Sequence, residues 1–211
     1  MPRDPGSMRL LLPWVAAASL LLPRASLPQE AWEVVAPGPP NGIVATVAVA
    51  PSDPHVIYVG TIDSRLFRSL DRGSTWEGND IVPEGRPGGR RVSRVVVDPT
   101  DASTVYVGFG QSKPGYRTRD GGRTWEVLTV HEPVYAVDPQ HPERLYTSNY
   151  FSTDDGASWQ YVDIVYGYVD DAWVHPRDSS IALLGKYGTA DSGVSWAEVS
   201  DYDLRRFAGS P

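Results

Sequence analysis

Ser69-Leu70-Asp71-Arg72-Gly73-Ser74-Thr75-Trp76 returns three times down the chain, as Thr118-Arg119-Asp120-Gly121-Gly122-Arg123-Thr124-Trp125, as Ser152-Thr153-Asp154-Asp155-Gly156-Ala157-Ser158-Trp159 and as Thr189-Ala190-Asp191-Ser192-Gly193-Val194-Ser195-Trp196. The shared pattern is [Ser/Thr]-x-Asp-x-Gly-x-[Ser/Thr]-Trp, and every fixed position has a use in a hairpin turn. An aspartate side chain accepts hydrogen bonds from backbone N–H groups two residues on and closes the turn. Glycine takes the positive φ that a tight hairpin demands. The flanking hydroxyls bond across the turn, and the tryptophan is a large apolar anchor on the outgoing strand. Four hairpins of one kind are therefore expected.

A second motif precedes each of these turns. Val49-Ala50-Pro51 leads to Ile57-Tyr58-Val59, Val97-Asp98-Pro99 to Val105-Tyr106-Val107, Val137-Asp138-Pro139 to Leu145-Tyr146-Thr147, and Val174-His175-Pro176 to Ala182-Leu183-Leu184. Proline ends one strand and seeds a turn, and the β-branched runs on either side read as strands. One unit is thus strand, proline turn, strand, loop, strand, aspartate turn, strand. A four-stranded unit with a period of about 40 residues is the signature of a β-propeller. The reading is an all-β chain with four four-stranded blades at about 42–79, 92–130, 132–164 and 168–200. Trp32-Glu33-Val34-Val35 looks like a further outer strand, and 201–211 like the start of another blade or a tail, so a partial propeller, an open arc or fragment, is expected.

The turn pattern resembles the Asp box, or bacterial neuraminidase repeat, and the resemblance covers roughly residues 31–200. In that family the box joins the third and fourth strands of a propeller blade, on the face away from the active site. The resemblance implies a structural role for Asp71, Gly73, Trp76, Asp120, Gly122, Trp125, Asp154, Gly156, Trp159, Asp191, Gly193 and Trp196. Sialidases, xyloglucanases, sortilin-type receptors and photosystem II assembly-factor-like proteins share such repeats. A sialidase would also need an arginine triad with a Phe-Arg-Ile-Pro-like string. Leu66-Phe67-Arg68-Ser69 lacks the Ile-Pro and runs straight into a turn, so no sialoside hydrolysis is expected.

The chain has 211 residues, no cysteine and a formal net charge of −7. Disulfides and thiolate metal sites are therefore excluded, and the acidic balance argues against nucleic acid. Arg3 and Arg9 precede an apolar run from Leu10 to Leu22, the length of a signal-peptide core and too short to span a bilayer. Residues 1–28 read as an export signal, which places the mature protein in the periplasm or outside the cell, without stable membrane insertion.

Chemistry would sit on the loops opposite the aspartate turns. Paired carboxylates across a cleft are what glycoside hydrolysis needs. The acids there are Asp63, Glu132, Asp163, Asp170 and Asp171. Ligand-binding candidates are Arg86, Arg90 and Arg91, on the long connection from Gly78 to Arg91, and Tyr166 and Tyr168, which with Tyr161 and Trp173 mark the junction of the third and fourth units. Packing between blades is the expected role of that aromatic group. The histidines show no metal-ligand spacing, and no cofactor is expected. The functional expectation is an exported, non-catalytic propeller scaffold that binds a protein or glycan. The other reading is a glycoside hydrolase propeller, sialidase-like or xyloglucanase-like, incomplete in this chain.

Overall fold

The computed structural model describes residues 38–40, 42–81, 90–110, 113–163 and 171–199. Contacts divide the chain into Met1–Glu33, outside the described residues, and Val34–Pro211, which holds every strand below. The expected export signal, the strand at Trp32 to Val35 and the segment 201–211 likewise lie outside the described residues.

Among the described residues sixteen strands form four antiparallel sheets of four, each in simple sequence order. The first blade is β1 (Val44–Val49), β2 (Ile57–Thr61), β3 (Arg65–Ser69) and β4 (Glu77–Asp80). The second is β5 (Arg94–Val97), β6 (Val105–Gly108), β7 (Tyr116–Thr118) and β8 (Glu126–Val127). The third is β9 (Ala136–Val137), β10 (Leu145–Tyr146), β11 (Tyr150–Ser152) and β12 (Gln160–Tyr161). The fourth is β13 (Ala172–Val174), β14 (Ala182–Leu184), β15 (Tyr187–Thr189) and β16 (Ala197–Glu198). The first strand of each blade lies beside that of the next, β1 by β5, β5 by β9 and β9 by β13. The protein is all-β, built from four propeller-type blades.

Each repeat turn is closed by the same four bonds. In the first blade Ser69 Oγ donates to Asp71 Oδ1 at 2.8 Å, Thr75 N–H donates to the same oxygen at 2.8 Å, and Thr75 Oγ1 donates to Asp71 Oδ2 at 2.7 Å. Gly73 N–H donates to Ser69 Oγ at 2.7 Å. The set recurs around Asp120, Asp154 and Asp191. One expectation is corrected here. The N–H two residues past the aspartate bonds to the leading hydroxyl, and the carboxylate instead gathers the amide and hydroxyl of the closing Ser or Thr. The residue before each turn glycine is left-handed as well: Arg72, Asp155 and Ser192 have φ of 59°, 60° and 63°, and Gly121 has 72°. Its amide donates to a carbonyl of the proline turn, as Arg72 N to His55 O and Ser192 N to Ser180 O, both 3.0 Å. The two kinds of turn are thus tied together on one face of every blade.

These bonds favour ionised carboxylates. The Thr75 hydroxyl and amide hold Asp71 down at about 2, and the Ser195 hydroxyl and amide do the same for Asp191, against an ordinary value of 3.8. A folded-state pKa below the unfolded one adds stability that is fully present above the unfolded pKa and lost as pH falls through the folded one. The melting temperature should therefore hold down to about pH 4 and fall between there and about pH 2. Asp71→Asn and Asp191→Asn together should flatten that fall. An unchanged acid limb in the double variant, followed by circular dichroism, would refute the assignment.

Blades pack through equivalent positions. Val95 and Val97 of the second blade enter one apolar cluster with Tyr58, Leu66 and Ile81 of the first. Val137 of the third joins Tyr106 and Leu128 of the second, and Val174 of the fourth joins Tyr146 and Phe151 of the third. The turn tryptophans lean the same way: Trp125, Trp159 and Trp196, half-buried, pack on the cluster shared with the preceding blade. In the first three blades the residue three before the aspartate, Arg68, Arg117 or Phe151, reaches forward to the next turn. A Cβ on Gly121 would lie 1.8 Å from Arg68 Nη1. Arg117 Nη1 donates to Asp155 O at 2.6 Å and Oδ1 at 2.5 Å, with Glu126 and Arg119 completing the ionic group. Phe151 takes this place in the third blade and lies against Gly193.

Candidate functional site

The face opposite the turns carries the second-to-third strand connections and the links between blades. On it Arg94 leaves β5, and its guanidinium sits 4.1 Å over the ring of Tyr135, which leads into β9. Arg94 Nη1 also donates to Asp171 Oδ1 at 3.4 Å, just ahead of β13. A cation, an aromatic ring and a carboxylate from three successive blades thus meet where the first strands converge. Arg94 and Tyr135 were not among the residues singled out from sequence. The signal available was an arginine heading the otherwise apolar run Arg94-Val95-Val96-Val97.

Asp63, Glu132 and Asp171 each accept bonds from the fold, whereas Asp163 lines an open cleft. Asp63 is exposed and accepts from Thr61 Oγ1, across the turn in which Ser64 has φ 67°. Glu132 is half-buried, and its Oε2 accepts from Thr147 Oγ1 at 2.8 Å, Ser148 Oγ at 2.7 Å and Asn149 N at 3.0 Å. It brackets the β10–β11 turn rather than pointing a spare oxygen pair at a substrate. Asp171, beyond Arg94, accepts the amide of Ala172 at 3.0 Å. Asp163 is exposed and lines a cleft of about 290 Å³ with Phe151, Tyr161 and Trp196.

A second cleft, of about 340 Å³, is lined by Thr129, Val130, His131, Glu132, Tyr150 and Trp159. The Trp159 indole is fixed by donating Nε1–H to Gly156 O at 3.1 Å. Tyr150 meets Tyr161 edge-on, ring centres 5.2 Å apart. Aromatic faces beside a histidine and a carboxylate suit a ring that is apolar on its faces and hydroxylated at its rim.

Arg86, Asp170, Tyr166 and Tyr168 lie outside the described residues. Arg91 is exposed, and Arg90 is tied by its backbone, its N–H donating to Ser64 Oγ at 2.6 Å. The strand β4 runs on to Asp80, so the long connection begins at Ile81 rather than at Gly78. The expectation that Tyr161 and Trp173 pack between blades is overturned. Both are exposed, because Tyr161 ends an outer strand against Tyr150, and Trp173 turns to the side of β13 away from the third blade, edge-on to His175.

No established family profile matches the chain. Similar proteins are xyloglucanases and a sortilin-like vacuolar sorting/targeting protein. A xyloglucanase from Paenibacillus sp is 30% identical over 177 residues, covering 75% of this chain and 16% of that enzyme. Vacuolar protein sorting/targeting protein 10 of Aspergillus fumigatus is 28% identical over 121 residues, covering 49% of this chain and 8% of that protein. Among solved structures, an ancestral GH74 enzyme superposes with a TM-score of 0.58 at 16% identity, over 75% of this chain and 24% of that one. The GH74 xyloglucanase from Xanthomonas campestris does so with a TM-score of 0.52 at 18% identity, over 76% of this chain and 30% of that one. The chain therefore spans a minor part of the length of the relatives it matches, and the structural likeness carries the propeller fold alone. No helix among the described residues is long and apolar enough to cross a membrane.

Proposed function

We propose that this chain supplies four Asp-box blades of a xyloglucanase-type glycoside hydrolase propeller, and that its own part is to bind the polysaccharide. The carrying observation is the 30% identity to the Paenibacillus xyloglucanase, which runs through three-quarters of the chain. The cleft at His131, Glu132, Tyr150 and Trp159 is the proposed contact, its rings stacking on sugar faces and its polar rim bonding to hydroxyls. This keeps the glycan of the binding-scaffold reading and gives it a substrate class. Glycoside hydrolysis needs two carboxyl groups about 5–10 Å apart across the bond. Asp63, Glu132 and Asp171 are each engaged by donors of the fold, and Asp163 lines a cleft that holds no second carboxylate, so we assign no catalytic pair among the described residues.

The test is calorimetric titration of the purified chain with xyloglucan oligosaccharides, with manno-oligosaccharides and sialyllactose as controls. Saturable binding to xyloglucan oligosaccharides alone is expected, weakened at least tenfold by His131→Ala, about 1.4 kcal/mol. No binding by folded protein, or equal binding of the controls, would overturn the reading. Neither sialoside turnover nor release of reducing ends from xyloglucan is expected of this chain.

A further inference from the structure

The four turn tryptophans are not held alike. Trp159 Nε1–H donates to Gly156 O at 3.1 Å and Trp196 Nε1–H to Gly193 O at 3.2 Å. The buried indole N–H groups of Trp76 and Trp125 have no hydrogen-bond partner among the described residues. Each of the two pinned indoles lines a cleft. The one at Trp159 lies in the seam between the second and third blades, and the one at Trp196, of about 290 Å³, in the seam between the third and fourth.

The two clefts are built from matching parts of the repeat. Each is bounded by the segment that follows one blade's turn tryptophan and by the turn tryptophan of the next blade. Thr129 and Asp163 hold the same place in the two clefts, four residues past Trp125 and Trp159. In the later seam strand alternation decides which side chains face the cleft. Phe151 and Gln160 are register partners, so both turn to the fourth blade, as does Val162, while Tyr161 turns back to Tyr150. The floor is therefore Phe151, Val162 and Trp196. Phe151 is apolar where its counterpart Arg117 is bound up with Glu126 and Asp155. The rim is Gln160 and Asp163, both exposed. An amide and a carboxylate above aromatic rings suit a sugar, whose hydroxyls donate and accept while its ring face stacks.

We propose that the cleft at Gln160, Asp163 and Trp196 is a second glycan site, holding a further stretch of the polysaccharide bound at Trp159. The proposal rests on the xyloglucan-binding reading of the first cleft. A polysaccharide repeats one chemical unit, so a protein that repeats one cleft can hold it at two points. The second contact is then intramolecular and raises the overall affinity without any new kind of bond.

The test reads the clefts separately, through the indole N–H resonances of Trp159 and Trp196, assigned with Trp159→Phe and Trp196→Phe, as the nitrogen-labelled chain is titrated with xyloglucan oligosaccharides. Both resonances should move. Gln160→Ala combined with Asp163→Ala should remove the Trp196 response and keep that of Trp159, at an unchanged melting temperature, since both side chains are exposed. The parent should bind the long polysaccharide about tenfold or more tighter than the short oligosaccharides, and the double variant should lose that gain. Movement of Trp159 alone in the parent overturns the second site and leaves the functional reading standing. A Trp196 response that persists in the double variant overturns the assignment of the rim. Movement of neither resonance overturns both.

Discussion

Gly122→Val is expected to destabilise the protein by about 3 kcal/mol, because the residue meets two separate obstacles. Its φ is +98°, where an L-residue pays roughly 1–2 kcal/mol and a β-branched one more. A Cβ there would also touch Leu66 Cδ2 at 3.4 Å and the Trp125 ring at 3.6 Å, so the two extra methyl groups would press into the contact between the first and second blades. Overpacking of that kind costs roughly 1–3 kcal/mol. Gly110 separates the two causes: its φ is +99°, yet nothing lies within 4 Å of its Cβ position. Gly110→Val should show the backbone cost alone, and the difference between the two variants in urea midpoint measures the packing cost. Equal losses would mean that the turn does not press on the first blade.

Phe151→Ala is expected to cost about 3–5 kcal/mol, the range for emptying a buried aromatic site. The ring is stacked on Tyr146 with centres 6.3 Å apart, lies 6.5 Å from the Trp196 ring, and closes over Gly193. It therefore holds the fourth blade to the third. Blades that touch mainly their neighbours lose stability locally, so amide exchange should accelerate most in β13 to β16 and least in β1 to β4. Uniform acceleration throughout would show that the four blades unfold as one unit, and a variant as stable as the parent would remove Phe151 from the core.

The repeat turns were legible from sequence because their chemistry is local. Hydroxyl, carboxylate, glycine and closing hydroxyl lie within seven consecutive residues, and the bonds among them need no other part of the chain. Strand order followed, since a proline turn and an aspartate turn in each period leave only a four-stranded antiparallel sheet. Local pattern did not reveal which of two oxygens takes the glycine N–H, because both lie in reach. Glu132 read as a candidate acid because its three donors are 15 to 17 residues away and only the folded β10–β11 turn brings them to it. Arg94, Tyr135 and Asp171 meet only because three first strands converge, and 77 residues separate the arginine from the carboxylate. The same valine stands before the proline in every blade, so nothing in the sequence distinguishes Val49 from Val97, Val137 and Val174. Residue type and strand register are set by the repeat itself. Which copies are buried is set by which blade has another packed behind it, a property of the assembled tertiary structure alone.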